Sequence, residues 1–542
     1  MRPTGARLAR AGLLVPPLAF LAVFFAWPVV SILDLGLRPG GRGDLSAFRE
    51  VAGDPALRGV LWFTTWQAAL STAATVVVAL PAAHVLGRYE FRGRAAVRTL
   101  VAVPFVLPTV VVGAAFLALL GPGSPLGIDL DDTVVAIVVA HVFFNLAVVV
   151  RLVGGLWESL DPRTEEAARM LGAGRWRAFA SVTLPALRPA VVSAAAIVFL
   201  FTFTSFGVVR ILGGPGHSTL EAEIYRQTAD LFDLPVAAVL CLVQLVAVAV
   251  LLVVQDRLDR RRVALQLRPP ERSRPRRAGE RAWVGLNLAV LVVLVVTPLA
   301  VLVERSLRVG DGYGLGSWRA LAHAGRGAGP AVPPLEAVAA SLRFAVLAAA
   351  VAVALGLLAA VALSRTRGRG GRFLDAALLL PLGTSAVTIG FGFLVALDEP
   401  PLDLRNEPVL IPLAQAVVAL PFVVRTVLPT LRAIDPGLRE AAAVLGASPR
   451  RAWVEVDLRM TARAVLVGAG FAFAISLGEF GATTVIARSG APTVPVAIDR
   501  LLGRPGALNV GQAFALSTVL MALTATTVVL VDRVRGVRAS LL

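Results

Sequence analysis

EEAARMLGAG, residues 165–174, is a polar, alanine-rich segment between two long apolar stretches, and REAAAVLGAS at 439–448 nearly repeats it. A constant offset of 274 residues aligns their surroundings without a gap: DPRTEEAARMLGAGRWRAFASVTLPALRPA (161–190) lies over DPGLREAAAVLGASPRRAWVEVDLRMTARA (435–464). Asp161-Pro162, Glu166-Ala167-Ala168, Leu171-Gly172-Ala173, Arg177, Val182 and Leu184 recur as Asp435-Pro436, Glu440-Ala441-Ala442, Leu445-Gly446-Ala447, Arg451, Val456 and Leu458. The register extends outward, with Arg151 on Arg425, Phe206-Gly207 on Phe480-Gly481, Thr219 on Thr493 and Arg226 on Arg500. Unrelated apolar segments share Ala and Leu by chance, but not Asp-Pro, Gly, Arg and Phe-Gly in one register. The chain is therefore an internal repeat.

The remainder of the sequence says where those two segments sit. Of 542 residues, 57% are hydrophobic and 16% charged, and the mean hydropathy is +0.78. A soluble core has no need of so much apolar residue, and the composition is that of a polytopic membrane protein. Stretches long enough to cross the hydrocarbon are expected near 12–33, 60–87, 97–121, 133–157, 184–207 and 236–254, and again near 283–305, 337–363, 373–396, 408–431, 462–484 and 510–531. The expected fold is an all-α membrane protein of about twelve transmembrane helices, as two tandem six-helix halves of the same topology. The division is 1–255, a basic linker at 256–282, and 283–542. Arg2, Arg7 and Arg10 precede the first stretch, which is long and lacks a small-residue cleavage site, so it reads as an uncleaved helix.

The net charge of +17 comes from arginine alone, since the chain has no lysine. The arginines fall in short clusters between apolar spans, which argues against nucleic acid and sets the orientation. Arg88, Arg92, Arg94 and Arg98, then Arg365, Arg367, Arg369 and Arg372, and the run at 256–281 all fall on one side, which places both termini in the cytoplasm. The opposite loops carry Asp44, Asp54, Asp129, Asp131, Asp132, Asp398, Glu399 and Asp403. The 256–281 run reads as a solvated linker anchored to anionic lipid headgroups. One cysteine, Cys241, excludes an internal disulfide, and it reads as a small buried apolar residue.

Both repeated segments then lie on cytoplasmic loops, 161–185 and 435–459. Asp161 suits an N-cap and Pro162 the first helical turn, and Glu165 and Glu166 lie near the positive end of the helix dipole. Gly172 allows a sharp turn. A second amphipathic piece carries Arg175, Trp176 and Arg177, and Pro185 marks where the next membrane helix begins. One such loop could be an interfacial spacer. Two on one side, one per half, favour docking of a two-fold symmetric partner. Neither holds a catalytic set of His, Cys or paired acids, and no metal site is expected.

Glu166-Ala167-Ala168, three residues, Gly172, nine residues, Val182, one residue, Leu184-Pro185 matches the EAA signature of ATP-binding-cassette importer permeases. The chain thus resembles a fused, two-half permease of that family. The second copy matches through Leu458, but Arg459 replaces the proline, so that loop is expected to leave the surface differently. The resemblance implies that Glu166, Ala167, Ala168, Gly172, Leu184, Pro185, Glu440, Ala441, Ala442, Gly446 and Leu458 belong to coupling helices seated on an ATPase subunit dimer. It also implies an extracytoplasmic substrate-binding protein, the bacterial inner membrane as location, and alternating access driven by ATP and Mg on the partner. The chain has no G-x-x-x-x-G-K-[ST] and binds no cofactor of its own in this reading, so it is a translocation subunit and not an enzyme. HVFFNL (141–146), SFGVVRILGGPG (205–216) and STLEAEIYRQ (218–227) resemble the thiamine importers, with the iron(III) importers next.

Candidate pathway residues are polar groups within apolar stretches: His141 and Asn145, one turn apart, with Gln67, Ser205 and Glu479. Set against this are a solvated Glu479 at the outer end of its helix and a His141 that only bridges two helices. Arg151 and Arg425 read as headgroup or coupling-loop contacts. The outer segment 212–235, with Glu221, Glu223, Tyr225, Asp230 and Asp233, reads either as a contact for the binding protein or a cationic substrate, or as a plain surface loop. The alternative function is a twelve-helix secondary transporter without an ATPase partner. It leaves the paired loops unexplained, and GRYEFRGR (87–94) only weakly echoes its loop motifs. A membrane-embedded enzyme lacks the necessary cluster of acids, His or metal ligands.

Overall fold

The computed structural model describes residues 3–41, 43–260, 272–310, 312–324, 332–366, 368–398, 402–405, 407–487 and 492–535. Arg2, residues 261–271 of the basic linker, Arg367 and Glu399 lie outside the described residues. Among those described, ten helices are long and apolar enough to cross a membrane: Gly12–Leu37, Pro55–Arg88, Val134–Ser159, Arg175–Phe203, Leu234–Gln255, Ala278–Leu307, Pro334–Ser364, Leu410–Ala433, Pro449–Gly478 and Ala507–Val534. Two bent pairs bring the number to twelve if each pair is one span. The only strands among the described residues are a two-residue antiparallel pair, Arg308–Val309 with Gly312–Tyr313.

The two bent pairs stand where single spans were expected, at 97–121 and 373–396. Arg94–Val106 and Thr109–Leu120 meet at 103°, and Gly370–Gly383 and Ala386–Ala396 at 96°. In the first pair, Leu107 precedes Pro108 and is extended, with φ −66° and ψ 140°. The proline ring collides with a helical residue before it, which is why the helix stops there. In the second pair a short 3-10 turn, Leu380–Gly383, ends in extended Thr384 and Ser385. The Ser385 hydroxyl accepts from the backbone N–H of Thr388 (3.3 Å) and restarts the helix.

The spans expected at 184–207 and 462–484 also stop short. Helix Leu184–Phe203 is followed by Gly207–Leu212, and Arg459–Gly478 by Gly481–Ile486. The recurrent Phe-Gly sits at both restarts. A Cβ on Gly207 would lie 2.4 Å from the Thr109 hydroxyl oxygen, and one on Gly481 2.9 Å from the Ala386 Cβ. In both halves glycine is required because the restarted helix lies directly on the second limb of a bent pair.

The chain packs as two compact units. One comprises residues 1–49, 224–242 and 315–542, and the other 50–223 and 243–314. The first long helix thus packs in the unit that contains the second repeat, and Ala278–Leu307 in the unit that contains the first. The sequence repeat and the packing units are different divisions of the chain. Within the first-named unit, alanines 348, 352, 359, 360, 414, 416 and 419 are fully buried together with Val423, Val427 and Phe393. Small side chains let backbones approach where lipid supplies no hydrophobic force between helices. In the other unit, Pro55–Arg88 packs along Val134–Ser159 and Leu184–Phe203.

Candidate docking loops and a buried polar cluster

Each repeated loop is built the same way from its backbone outward. The Asp161 carboxylate accepts from the Arg163 N–H (2.9 Å), and Asp435 from Gly437 N–H (2.8 Å). Each caps a nine-residue helix, Pro162–Met170 and Pro436–Val444. The far ends are closed by a left-handed glycine, Gly172 at φ +88° and Gly446 at φ +82°. The N–H of Gly172 donates to the Arg169 carbonyl (3.0 Å) and that of Ala173 to Ala168 (3.1 Å). Gly446 donates to Ala443 (3.0 Å) and Ala447 to Ala442 (2.9 Å). This bond pair is the Schellman arrangement, which needs positive φ at one residue. It explains the glycine, while the residue after it contributes only its backbone N–H.

The turn holds an apolar pair out into solvent. Met170 and Leu171 are 89% and 88% exposed, and Val444 and Leu445 each 87%. The sequence marked Leu171 and Leu445 only as repeated positions and did not single out Met170 or Val444, although Met-Leu and Val-Leu directly before each glycine were the available signal. Glu166, Ala167, Glu440 and Ala441 are exposed beside them, and Ala168 and Ala442 are half-buried against the chain. Leu184, Pro185 and Leu458 are not part of this tip. A π turn, Phe179–Thr183, joins Arg175–Ala178 to Leu184–Phe203 as one continuous helix, so Pro185 does not begin a span but lies within one. In the second copy Trp453–Leu458 makes the same turn ahead of Arg459. The expected difference in path is absent from the backbone, because the wide turn forms with or without the proline.

Both loops thus present the same capped helix and the same exposed tip, in a chain of repeated apolar spans. The sequence pattern of the family described as "Binding-protein-dependent transport system inner membrane component" matches residues 75–263 and 352–535. The chain belongs to that family. It is similar to the thiamine transport system permease protein of Brucella abortus (strain 2308), 28% identical over 96% of this chain and 94% of that one. It is also similar to the molybdenum transport system permease protein of Azotobacter vinelandii, 37% identical over 27% of this chain and 69% of that one. A bacterial ABC transporter involved in the import of the acidic polysaccharide alginate has a chain that aligns with a TM-score of 0.41 and 17% identity, covering 46% of this chain and 94% of that one. The protein is a fused, two-half ABC importer permease, a multi-pass inner-membrane transport subunit.

Within the permease, His141 joins three elements. Its Nδ1 lies 2.8 Å from Gln67 Nε2 and 3.2 Å from Ser71 Oγ, and its Nε2 2.9 Å from Ser205 Oγ. Gln67 and Ser71 belong to Pro55–Arg88, while Ser205 stands at the break between Leu184–Phe203 and Gly207–Leu212. Asn145 is buried but turns back on its own helix, donating to the His141 carbonyl (3.0 Å). The side-chain carbonyl oxygens of Gln67 and Asn145 have no hydrogen-bond partner among the described residues.

Glu479 occupies the matching break in the second half, and it is buried rather than solvated. Its carboxylate accepts from the N–H groups of Ala482 (2.7 Å) and Thr483 (2.9 Å) and from the Thr483 hydroxyl. It therefore caps the short helix Gly481–Ile486. Another repeated contact was not foreseen: Thr64 Oγ1 accepts from Leu220 N–H (2.9 Å), and Ser341 Oγ from Val494 N–H (2.7 Å). These hydroxyls anchor helices Leu220–Ala229 and Val494–Leu502. In the first of them Glu221 and Glu223 are buried, and Glu221 accepts from Gln244 (2.6 Å). Those two acids do not form a plain surface loop. Arg151 and Arg425 are both exposed.

Proposed function

We propose that this permease carries thiamine into the cytoplasm by alternating access, with its two loops seated on a dimer of ATPase subunits. Each sequence half, 1–255 and 283–542, contributes one loop. Glu166, Ala167, Ala168, Gly172, Glu440, Ala441, Ala442 and Gly446 form the coupling helices, and Leu184, Pro185 and Leu458 belong to the spans that follow them. The observation that carries this reading is the duplicated tip, an exposed apolar pair held by an identical Schellman turn. Apolar residues that prominent on a cytoplasmic loop call for a partner that covers them. ATP and Mg belong to the ATPase, because the chain has no phosphate-binding loop. An extracytoplasmic binding protein delivers the solute, and both termini are cytoplasmic.

Thiamine is favoured by similarity to a thiamine permease along nearly the whole chain. Iron(III) is the second substrate to test. His141, Asn145, Ser205 and Glu479 are assigned to the solute path because Ser205 and Glu479 each stand at a helix break, where freed backbone groups and helix ends can face a solute, and His141 bonds Ser205 with Asn145 one turn away. The test is co-purification of an ATPase subunit with this chain from its native membranes, then reconstitution with a candidate binding protein. ATP-dependent uptake of thiamine and not of ferric iron is the expected result. Absence of any ATPase partner would sink the importer assignment, and uptake of ferric iron alone would replace thiamine.

A further inference from the structure

The loops present the same tips but are fastened to the chain by different chemistry at matched positions. In the first copy the Thr183 hydroxyl donates to Glu165 Oε2 (2.9 Å), and Arg88 Nη2 lies 3.8 Å from the same oxygen. At the equivalent positions of the second copy stand Arg439 and Asp457. Arg439 Nε donates to Asp457 Oδ1 (2.8 Å) and Oδ2 (3.1 Å). The carboxylate has moved from the loop helix to the span, and the partner on the loop helix has become a cation. In both copies the bond crosses from the first turn of the loop helix to the π turn that leads into the next span. Asp457 is buried at 2% exposure and Thr183 at 5%, while Glu165 and Arg439 are half-buried.

We propose that these two pairs are latches that transmit displacement of each coupling helix to the span behind it, and that residues 165 and 183, like 439 and 457, act as interchangeable positioning pairs. This rests on the docking reading above. In the chain the loop helix passes to the next helical segment through the non-helical residues 171–174 or 445–448, whose backbone torsions leave the two segments free to turn on each other unless another contact holds them. A side-chain bond between them removes that freedom. Of the two, the second latch is the more demanding, because a buried carboxylate left without its arginine is strongly disfavoured. Moreover, a repeat that preserves the contact while exchanging its chemistry points to the contact itself as what matters.

The test transplants one latch into the other site. Asp457→Thr leaves Arg439 unmatched, whereas R439E/D457T installs the Glu–Thr pair of the first copy. Hydrogen–deuterium exchange is measured on the full permease–ATPase complex in nanodiscs, with and without a non-hydrolysable ATP analogue. In the wild type the ATPase is expected to protect residues 436–447, and nucleotide to change exchange across 453–462. D457T is expected to keep the first effect and lose the second, and R439E/D457T to regain both. A wild-type nucleotide response in D457T, or continued loss in the double variant, overturns the latch. Failure of the ATPase to protect 436–447 in the wild type overturns the docking reading, and the latch with it. If D457T does not yield a monodisperse complex, the double variant decides alone, since it must respond as the wild type does.

Discussion

Replacing Gly172 isolates the strain that the docking turn places on its backbone. At φ +88° a residue with a Cβ is disfavoured, by ~1–2 kcal/mol in the left-handed region. A Cβ at this position meets nothing within 4 Å, so steric crowding inside the chain contributes nothing. The free loop can escape the strain only by giving up the Gly172-to-Arg169 and Ala173-to-Ala168 bonds. Exposed bonds of this kind contribute ~0.5–1.5 kcal/mol each. Strain carried equally by the free and the bound loop leaves affinity unchanged; the loss is the excess of the strain, taken as ~2 kcal/mol, over the two bonds that the free loop gives up, taken as ~1 kcal/mol together, which is about 1 kcal/mol, or about fivefold in affinity for the ATPase. Gly172→Ala should show that loss, and G172A/G446A about 25-fold if the two sites add independently. The assay is titration of ATPase onto the permease in nanodiscs. Gly172→Asn discriminates between causes: asparagine is larger than alanine but tolerates positive φ better. Backbone strain predicts that Asn binds better than Ala, and crowding against the ATPase predicts the reverse. An Asn variant weaker than Ala, or an Ala variant of wild-type affinity, would refute the argument.

Three further outcomes are expected. Met170→Asp with Val444→Asp should leave the permease folded, as judged by its melting temperature, yet lose the ATPase during purification, because charge replaces the most exposed apolar atoms of both tips. Glu479→Gln turns one of two accepting oxygens into a donor that faces the N–H group of either Ala482 or Thr483. That leaves a buried group unsatisfied at a cost of ~1–3 kcal/mol, visible as a lowered melting temperature in detergent, and unchanged melting would show that the cap is dispensable. His141→Ala should destabilise the chain more than Ser205→Ala, since the histidine joins Gln67, Ser71 and Ser205 whereas the serine supplies one of those contacts. Equal melting temperatures for the two variants would contradict this.

Much of this protein was legible because its informative signals are local. Apolar runs of sufficient length, arginine clusters between them and a repeat at one offset establish a two-half membrane fold, since a span must satisfy its own backbone within one segment. Asp-Pro at the start and Leu-Gly-Ala at the end of each loop helix likewise specify caps made by neighbouring residues, and those caps are found at 161–173 and 435–447. What the sequence left open depends on residues far apart in the chain. The breaks at 107–108 and 384–385 have local signals in Pro108 and Ser385, but the angles of the two bends and the restarts at Gly207 and Gly481 follow from how helices lie on one another, and composition does not encode that. The burial of Glu479 and Glu221, the joining of His141 to Gln67 and Ser205, and the exchange of Glu165–Thr183 for Arg439–Asp457 became visible only with tertiary structure. A polar side chain within an apolar run reads the same whether it caps a helix, bridges two or faces a solute. Only the positions of its partners decide, and those are set by packing.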